Sequence, residues 1–245
     1  MSVAIVMPAW NEASGIGEFL TEIHEFFAGI DHTFIVIDDC STDQTIRVLN
    51  ALQEDGLPLQ VESNQNNLGH GPTTVKALGL GLRSDKNVII SIDGDGQFLG
   101  QDVLRCYEEI LQSNTQIIEG IRVRDSDPLY RKTTSLATRV LVWSRCREFP
   151  KDANTPLRVY QRSILVKVLD RIPSDSLVPN LMISTYARKN KMKIGLVSVD
   201  FVDRRGVDPK STSWGRSKSY LPSKKFINFC GRATKSWLAF DPGLE

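Results

Sequence analysis

Asp93-Gly94-Asp95-Gly96-Gln97 follows directly on the apolar run Val88 to Ile92, so two carboxylates and an amide stand where a strand ends. Oxygen donors of this kind suit Mg2+ or Mn2+, and Mg2+ is commonly held by one or two carboxylates together with substrate phosphates. The chemistry implied is a divalent cation gripping a diphosphate. Gly94 and Gly96 would let the backbone turn sharply and let a ligand come close. Taken alone, the same five residues could instead form an acidic Asp-Gly turn closing a hairpin.

Three other segments share this character. The short runs Val3 to Met7, Phe34 to Ile37 and Leu59 to Glu62 each end in a polar cluster. These clusters are Pro8-Ala9-Trp10-Asn11-Glu12, Asp38-Asp39-Cys40-Ser41-Thr42-Asp43 and Asn64 to Gly71. Between the runs lie segments of helical period: Ile16, Phe19, Leu20, Ile23, Phe26 and Phe27 form one stripe, and further helices are expected over 45–52, 73–82 and 103–111. Alternation of this kind is the signature of a mostly parallel sheet flanked by helices. Ligands of such sheets bind at the carboxyl ends of the strands, which would bring the four clusters to one edge. Ser41 or Asp43 reads as the cap of the following helix. Carboxylates gathered at one edge repel unless a cation or donor groups compensate them, so the edge reads as a metal and nucleotide site.

At 245 residues and 41% hydrophobic content the chain can bury the core of one large α/β domain. A net charge of +1 argues against a general nucleic-acid binder. Cys40, Cys106, Cys146 and Cys230 lack zinc-site spacing and are expected as reduced thiols. The start of the chain does not read as a secretory signal, and no run approaches the ~18 apolar residues of a membrane span. The expectation is a cytoplasmic protein, with room for peripheral contact at the cytoplasmic membrane face. A dinucleotide-dependent oxidoreductase is disfavoured, because no G-x-G-x-x-G follows the first strand.

The regular alternation ends near Asp125. Beyond it, Leu129 to Phe149 mixes Leu136, Val140, Leu141 and Trp143 with Arg131, Lys132, Arg139, Arg145 and Arg147. This basic amphipathic helix fits either a membrane interface or a sheet-packed helix with a solvated basic face. A strand at 158–160, helices at 164–169 and 181–189 and a strand at 194–201 follow. The remainder, 206–245, reads as a basic loop with a short terminal helix.

The four clusters, taken in order with Asn67-Leu68-Gly69-His70-Gly71, resemble the successive motifs of family-2 inverting glycosyltransferases with the GT-A (Rossmann-like) fold. The Asp-x-Asp-x-Gln form is most similar to dolichyl-phosphate mannose synthases and related polyprenyl-phosphate sugar transferases. The resemblance implies a catalytic domain over 1–205, with a nucleotide-sugar half (1–125) and an acceptor half (126–205). It implies that Pro8, Trp10, Glu12, Ile37 and Asp39 surround the base and ribose of a nucleotide-sugar donor, either a GDP-sugar such as GDP-mannose or a UDP-sugar. Asp93 and Gly94 would lie at the donor, and Asp95 and Gln97 at Mg2+ or Mn2+. Arg122 would lie near the phosphates, with Asp93, Asp152 and Arg122 as the catalytic set. Arg131 and Arg158 would face a polyprenyl phosphate or saccharide acceptor.

The chain departs from the family where Pro156-Leu157 precedes Arg158 in place of Gly-Phe, and where Cys40 replaces a usual glycine. Arg204-Arg205 and Gly215-Arg216-Ser217-Lys218 resemble an element that folds over the diphosphate, with either arginine as counterpart. A membrane-anchored partner subunit is compatible with this picture. So are a soluble hydroxyl acceptor and, in another class, a nucleotide-sugar binder without catalysis.

Overall fold

The computed structural model describes residues 1–123, 129–206 and 224–243. Its first half alternates β1 (Val3–Ala9), α1 (Ile16–Phe26), β2 (His32–Asp38), α2 (Thr45–Glu54), β3 (Leu59–Ser63), α3 (His70–Arg83), β4 (Val88–Ser91), α4 (Gly100–Gln112) and β5 (Ile117–Val123). Then come α5 (Leu129–Cys146), β6 (Arg158–Gln161), α6 (Arg162–Arg171), α7 (Pro179–Lys189), β7 (Ile194–Asp200) and α8 (Lys224–Ala239). The strands form one sheet in the order β3-β2-β1-β4-β6-β5-β7. β6 runs antiparallel to both neighbours, and the other pairings are parallel.

Both faces of the sheet are covered, as a parallel sheet requires. Along β1, Val3, Ile5 and Met7 join a core layer with Phe19 and Leu20 of α1 and Val103 of α4, whereas Ala4 and Val6 join the layer with Leu78 of α3 and Leu165 of α6. The period of two along each strand assigns successive side chains to opposite layers. The strand ends at Ala9, Asp38, Ser63 and Ser91 consequently lie along one edge, in the register Ala9–Asp38 and Asp38–Ser63.

A buried ion network ties the second half together. Both oxygens of Glu119 accept from Arg188 (3.0 and 2.7 Å), and Arg158 lies 3.3 Å from the same carboxylate. All three residues are almost completely buried.

α8 runs 16 residues, longer than the short helix expected. The reason is visible in its contacts: Trp237 is buried and donates from its indole to Thr185 Oγ1 of α7 (3.1 Å), and Arg145 of α5 stacks on its ring (4.1 Å). Packing of a buried face supplies most of a helix's stability, and the polar stretch before it carries no such signal.

Candidate active site

Main-chain bonds stitch the strand-end loops into one surface. Gly94 N–H donates to Pro8 C=O (3.2 Å), Asp39 N–H to Ala9 C=O (2.8 Å) and Asn64 N–H to Asp38 C=O (2.8 Å). A Cβ at position 94 would stand 2.9 Å from the Pro8 oxygen, so only glycine allows the β1 and β4 loops to approach this closely. Gly96 has φ +68°, the left-handed turn that reverses the chain between Asp95 and Gln97.

Asp39 organises the next loop rather than offering an open carboxylate. Its Oδ1 accepts from Leu68 N–H and Asn64 Nδ2 and its Oδ2 from Gly69 N–H, each at 2.8 Å. These bonds place His70, the first residue of α3, at the mouth of the site, with Nε2 3.5 Å from Asp93 Oδ1. His70 stands within a family-like motif of the sequence but has no role assigned from it. The signal open to the sequence was a histidine set between two glycines after a strand end; Gly69, at φ +88°, turns the chain so that His70 opens α3.

Asp93, Asp95 and Glu12 crowd together. Burial first, and then the Asp93 charge, pushes the Asp95 carboxyl up to about 6. Burial pushes the Glu12 carboxyl up to about 7, against the pull of Arg204, which bonds both of its oxygens. Gln97 donates its amide to Val202 C=O (3.1 Å), which leaves the side-chain oxygen as a donor to a cation. Asp95 and Gln97 thus offer oxygen ligands in a place where negative charge is under-compensated, and a divalent cation fits it. No group of three His, Cys, Asp or Glu side chains able to hold a metal occurs among the described residues, so phosphates would have to complete the coordination.

The two arginines near the end of β7 take separate positions. Arg204 pairs with Glu12, and Arg205 reaches Gly96 C=O (3.1 Å), Glu18 (3.1 Å) and Glu22. Together with the Val202–Gln97 main-chain bond (3.0 Å) they fasten residues 202–205 across the mouth of the β1 and β4 loops. Of the two, Arg204 is the one beside Asp93 and Asp95, since both carboxylates act on its guanidinium.

On the other flank, Arg122 forms a two-pronged bond to Asp152, Nε to Oδ2 at 2.7 Å and Nη2 to Oδ1 at 3.0 Å. The structure therefore brings Glu12, Asp93, Asp95, Gln97 and Arg204 together, joins Arg122 to Asp152 and leaves Trp10 exposed.

Three expectations are corrected. Arg158 is fully buried, donating to Asn180 C=O (2.8 Å) and Ala153 C=O (3.1 Å), so it holds the loop that carries Asp152 instead of facing an acceptor. Ile37 is fully buried in the layer beneath α3, and Pro8 is buried within β1, where its carbonyl accepts from Gly94. Both side chains lie beneath the loops, so any contact from these two positions to a base would come from the backbone. Ser217 and Lys218 lie outside the described residues, as does the side chain of Arg131.

Capping also differs in detail. Asp43 accepts from Thr45 N–H at the start of α2 (2.9 Å), but Ser41 accepts from Asn11 N–H (2.9 Å), clipping the first two loops together. Directly before Ser41, Cys40 has φ +60°, the left-handed conformation that the glycine usual in the family adopts freely. Cys40→Gly is therefore expected to raise stability by about 1 kcal/mol, or ~2–4 °C in Tm, in a thermal melt.

Comparison with known proteins agrees with this arrangement. The family described as Glycosyl transferase family 2 matches residues 4–180. A UDP-N-acetylglucosamine–dolichyl-phosphate N-acetylglucosaminyltransferase of Methanococcus voltae is 21% identical over 217 residues, covering 80% of this chain and 84% of its own. An undecaprenyl-phosphate 4-deoxy-4-formamido-L-arabinose transferase of Klebsiella pneumoniae is 23% identical over 190 residues, 76% of this chain and 57% of its own. Among solved structures, glucosyl-3-phosphoglycerate synthase of Mycobacterium tuberculosis, in complex with Mn2+, UDP and phosphoglyceric acid, superposes with a TM-score of 0.70. That likeness, at 17% identity, covers 100% of this chain and 79% of the synthase, and it shows a shared GT-A fold. With the four strand-end clusters at one edge of a GT-A sheet and the family match spanning β1 to the start of α7, the chain belongs to glycosyl transferase family 2 and is a glycosyltransferase.

Proposed function

We propose that the protein transfers a sugar, with inversion, from a nucleoside-diphosphate sugar to a polyprenyl phosphate, using Mg2+ or Mn2+. Asp95 and Gln97 would hold the cation, which when bound supplies charge to the departing diphosphate. Trp10 stacks on the base from the rim. Asp93, steadied by His70, faces the ribose and sugar. Arg204 exchanges Glu12 for the diphosphate as charge develops there, and fixed cations aimed at developing charge are commonly the largest catalytic contribution.

The observation that carries the acceptor assignment is the Arg122–Asp152 pair. Both oxygens of Asp152 are held by one guanidinium, so the carboxylate nearest the acceptor side is poorly placed to take a proton from a hydroxyl. A phosphate oxygen is already an anion and needs no base. The names of the two transferases above, both acting on polyprenyl phosphates, support the same choice.

The test is transfer of label from a panel of UDP- and GDP-sugars to a short-chain polyprenyl phosphate with Mn2+ present, followed by organic extraction. Label in the lipid phase is expected; label only in soluble saccharides contradicts the acceptor, and none in either contradicts the activity. Asp152→Asn gives a sharper reading. Loss of a general base lowers a rate by about 10²–10⁴, whereas transfer to an anionic acceptor is expected to stay within about 10-fold of the parent.

A further inference from the structure

α5 and α8 share a property that catalysis at the strand ends does not use. The chain as a whole nearly balances its charge, 30 Lys and Arg against 29 Asp and Glu, yet neither helix contains an acid. α5 carries Arg131, Lys132, Arg139 and Arg145, and α8 carries another four cations. The same two helices expose apolar stripes: Leu136, Val140 and Trp143 on α5 recur at i, i+4 and i+7, and Ile227 and Leu238 on α8 flank Thr234 at helical spacing. These five apolar side chains are 41–58% exposed.

The stripes converge. A groove of about 550 Å³ runs between the helices, lined by Leu136, Ala137, Val140 and Leu141 of α5 and by Thr234 of α8. Arg145 holds the pair in register by donating to Leu238 C=O (2.8 Å) and stacking on Trp237. Beside the groove, Arg139 lies over the half-exposed Phe149 (4.4 Å) and Arg147 over Trp143 (5.4 Å). Apolar stripes edged by cations and aromatic rings are what a helix lying in a headgroup layer presents.

We infer that the α5–α8 face is a docking surface for a bilayer containing anionic lipid. A second copy of the chain is a poor occupant, because a two-fold contact would set Arg139, Arg147, Arg232 and Lys235 against the same cations of the other copy. Among the described residues no helix is long and apolar enough to cross a membrane, so contact through this face would be peripheral. The inference deepens the lipid-acceptor reading, since it names how the enzyme meets an acceptor that lies in a bilayer.

Vesicle co-sedimentation tests it without any sugar donor. Binding to vesicles of phosphatidylcholine with phosphatidylglycerol is expected to exceed binding to phosphatidylcholine alone by at least about 10-fold, and to fall as salt is raised. The pair Leu136→Glu/Val140→Glu is expected to weaken it by about 10-fold or more, and so is the separate pair Ile227→Glu/Leu238→Glu. Unchanged Mn2+-dependent UDP or GDP binding shows that each variant is folded. Equal partition to both vesicles, parental binding by both pairs, or a dimer on gel filtration that either pair dissolves would each overturn the inference. A protein that binds anionic vesicles yet glycosylates only soluble saccharides would refute the lipid acceptor and leave the surface standing. Transfer to lipid without vesicle selectivity would do the reverse.

Discussion

Asp95→Asn is expected to lower kcat/KM by about 10³ while raising stability. The first effect follows from removing the ligand through which a cation would stabilise the leaving diphosphate, a contribution of several kcal/mol to the transition state, or about 10³ in rate. The second follows from the surroundings of the carboxyl, which burial and Asp93 push up to about 6. A carboxyl raised above its unfolded value stabilises the fold fully only below the unfolded value. That contribution is lost as pH rises through about 6, so at pH 7.5 the ionised group is a burden on the folded state. Replacing it by the neutral isostere relieves the burden, and a gain of order 1–2 kcal/mol is expected, seen as a Tm higher by several degrees in metal-free buffer. Loss of activity together with loss of stability would show that Asp95 serves the fold instead. The difference in Tm should shrink as pH falls and vanish only below about 3, where the carboxyl is neutral in the folded and the unfolded chain alike.

Glu119→Ala is the substitution expected to damage the fold most. It strands Arg158 in the interior without a counter-charge and leaves Arg188 only the exposed Glu148, 3.3 Å from its Nε, and breaking a buried pair from one side destabilises by about 3–5 kcal/mol. At ~2–4 °C per kcal/mol for a chain of this size, Tm should fall by roughly 6–20 °C. The consequence extends to catalysis, because Arg158 also grips Ala153 next to Asp152. Urea denaturation checks the size of the effect. A loss below about 1 kcal/mol would mean that the network is not a structural keystone.

Much of the architecture was legible from residues that read alike at every level. β1, the stretch Phe34 to Ile37 of β2 and Val88 to Ile90 of β4 are unbroken apolar runs, and the stripe of α1 from Ile16 to Ile23 is fully buried as its period requires. The carboxylates after these strands gather because parallel register carries all their carboxyl ends to one edge. Arg158 was misread because an arginine pattern carries no sign of burial. Its place at the start of the antiparallel strand β6, opposite Glu119, is set by pairing that a linear sequence does not display.

The Glu12–Arg204 contact spans 192 positions, and the adjacent Arg205 instead meets the Gly96 carbonyl and the α1 carboxylates Glu18 and Glu22, a division that two neighbouring arginines do not display in a linear sequence. The family resemblance places Asp39 at the base and ribose, and no pattern in the sequence shows its bonds to the loop at 64–69. The structure spends both of its oxygens on the loop that positions His70.

The central claim is that Asp95, Gln97 and the neighbouring loops form a metal-dependent nucleotide site. Calorimetric titration of UDP and of GDP into the protein, in Mn2+ and then in EDTA, tests it most directly. One of the two nucleotides is expected to bind with Mn2+ and to weaken by about 10-fold or more when the metal is removed, as expected where metal and phosphates complete one another's coordination. Equal affinity in EDTA, or no binding of either nucleotide with Mn2+ present, would contradict it.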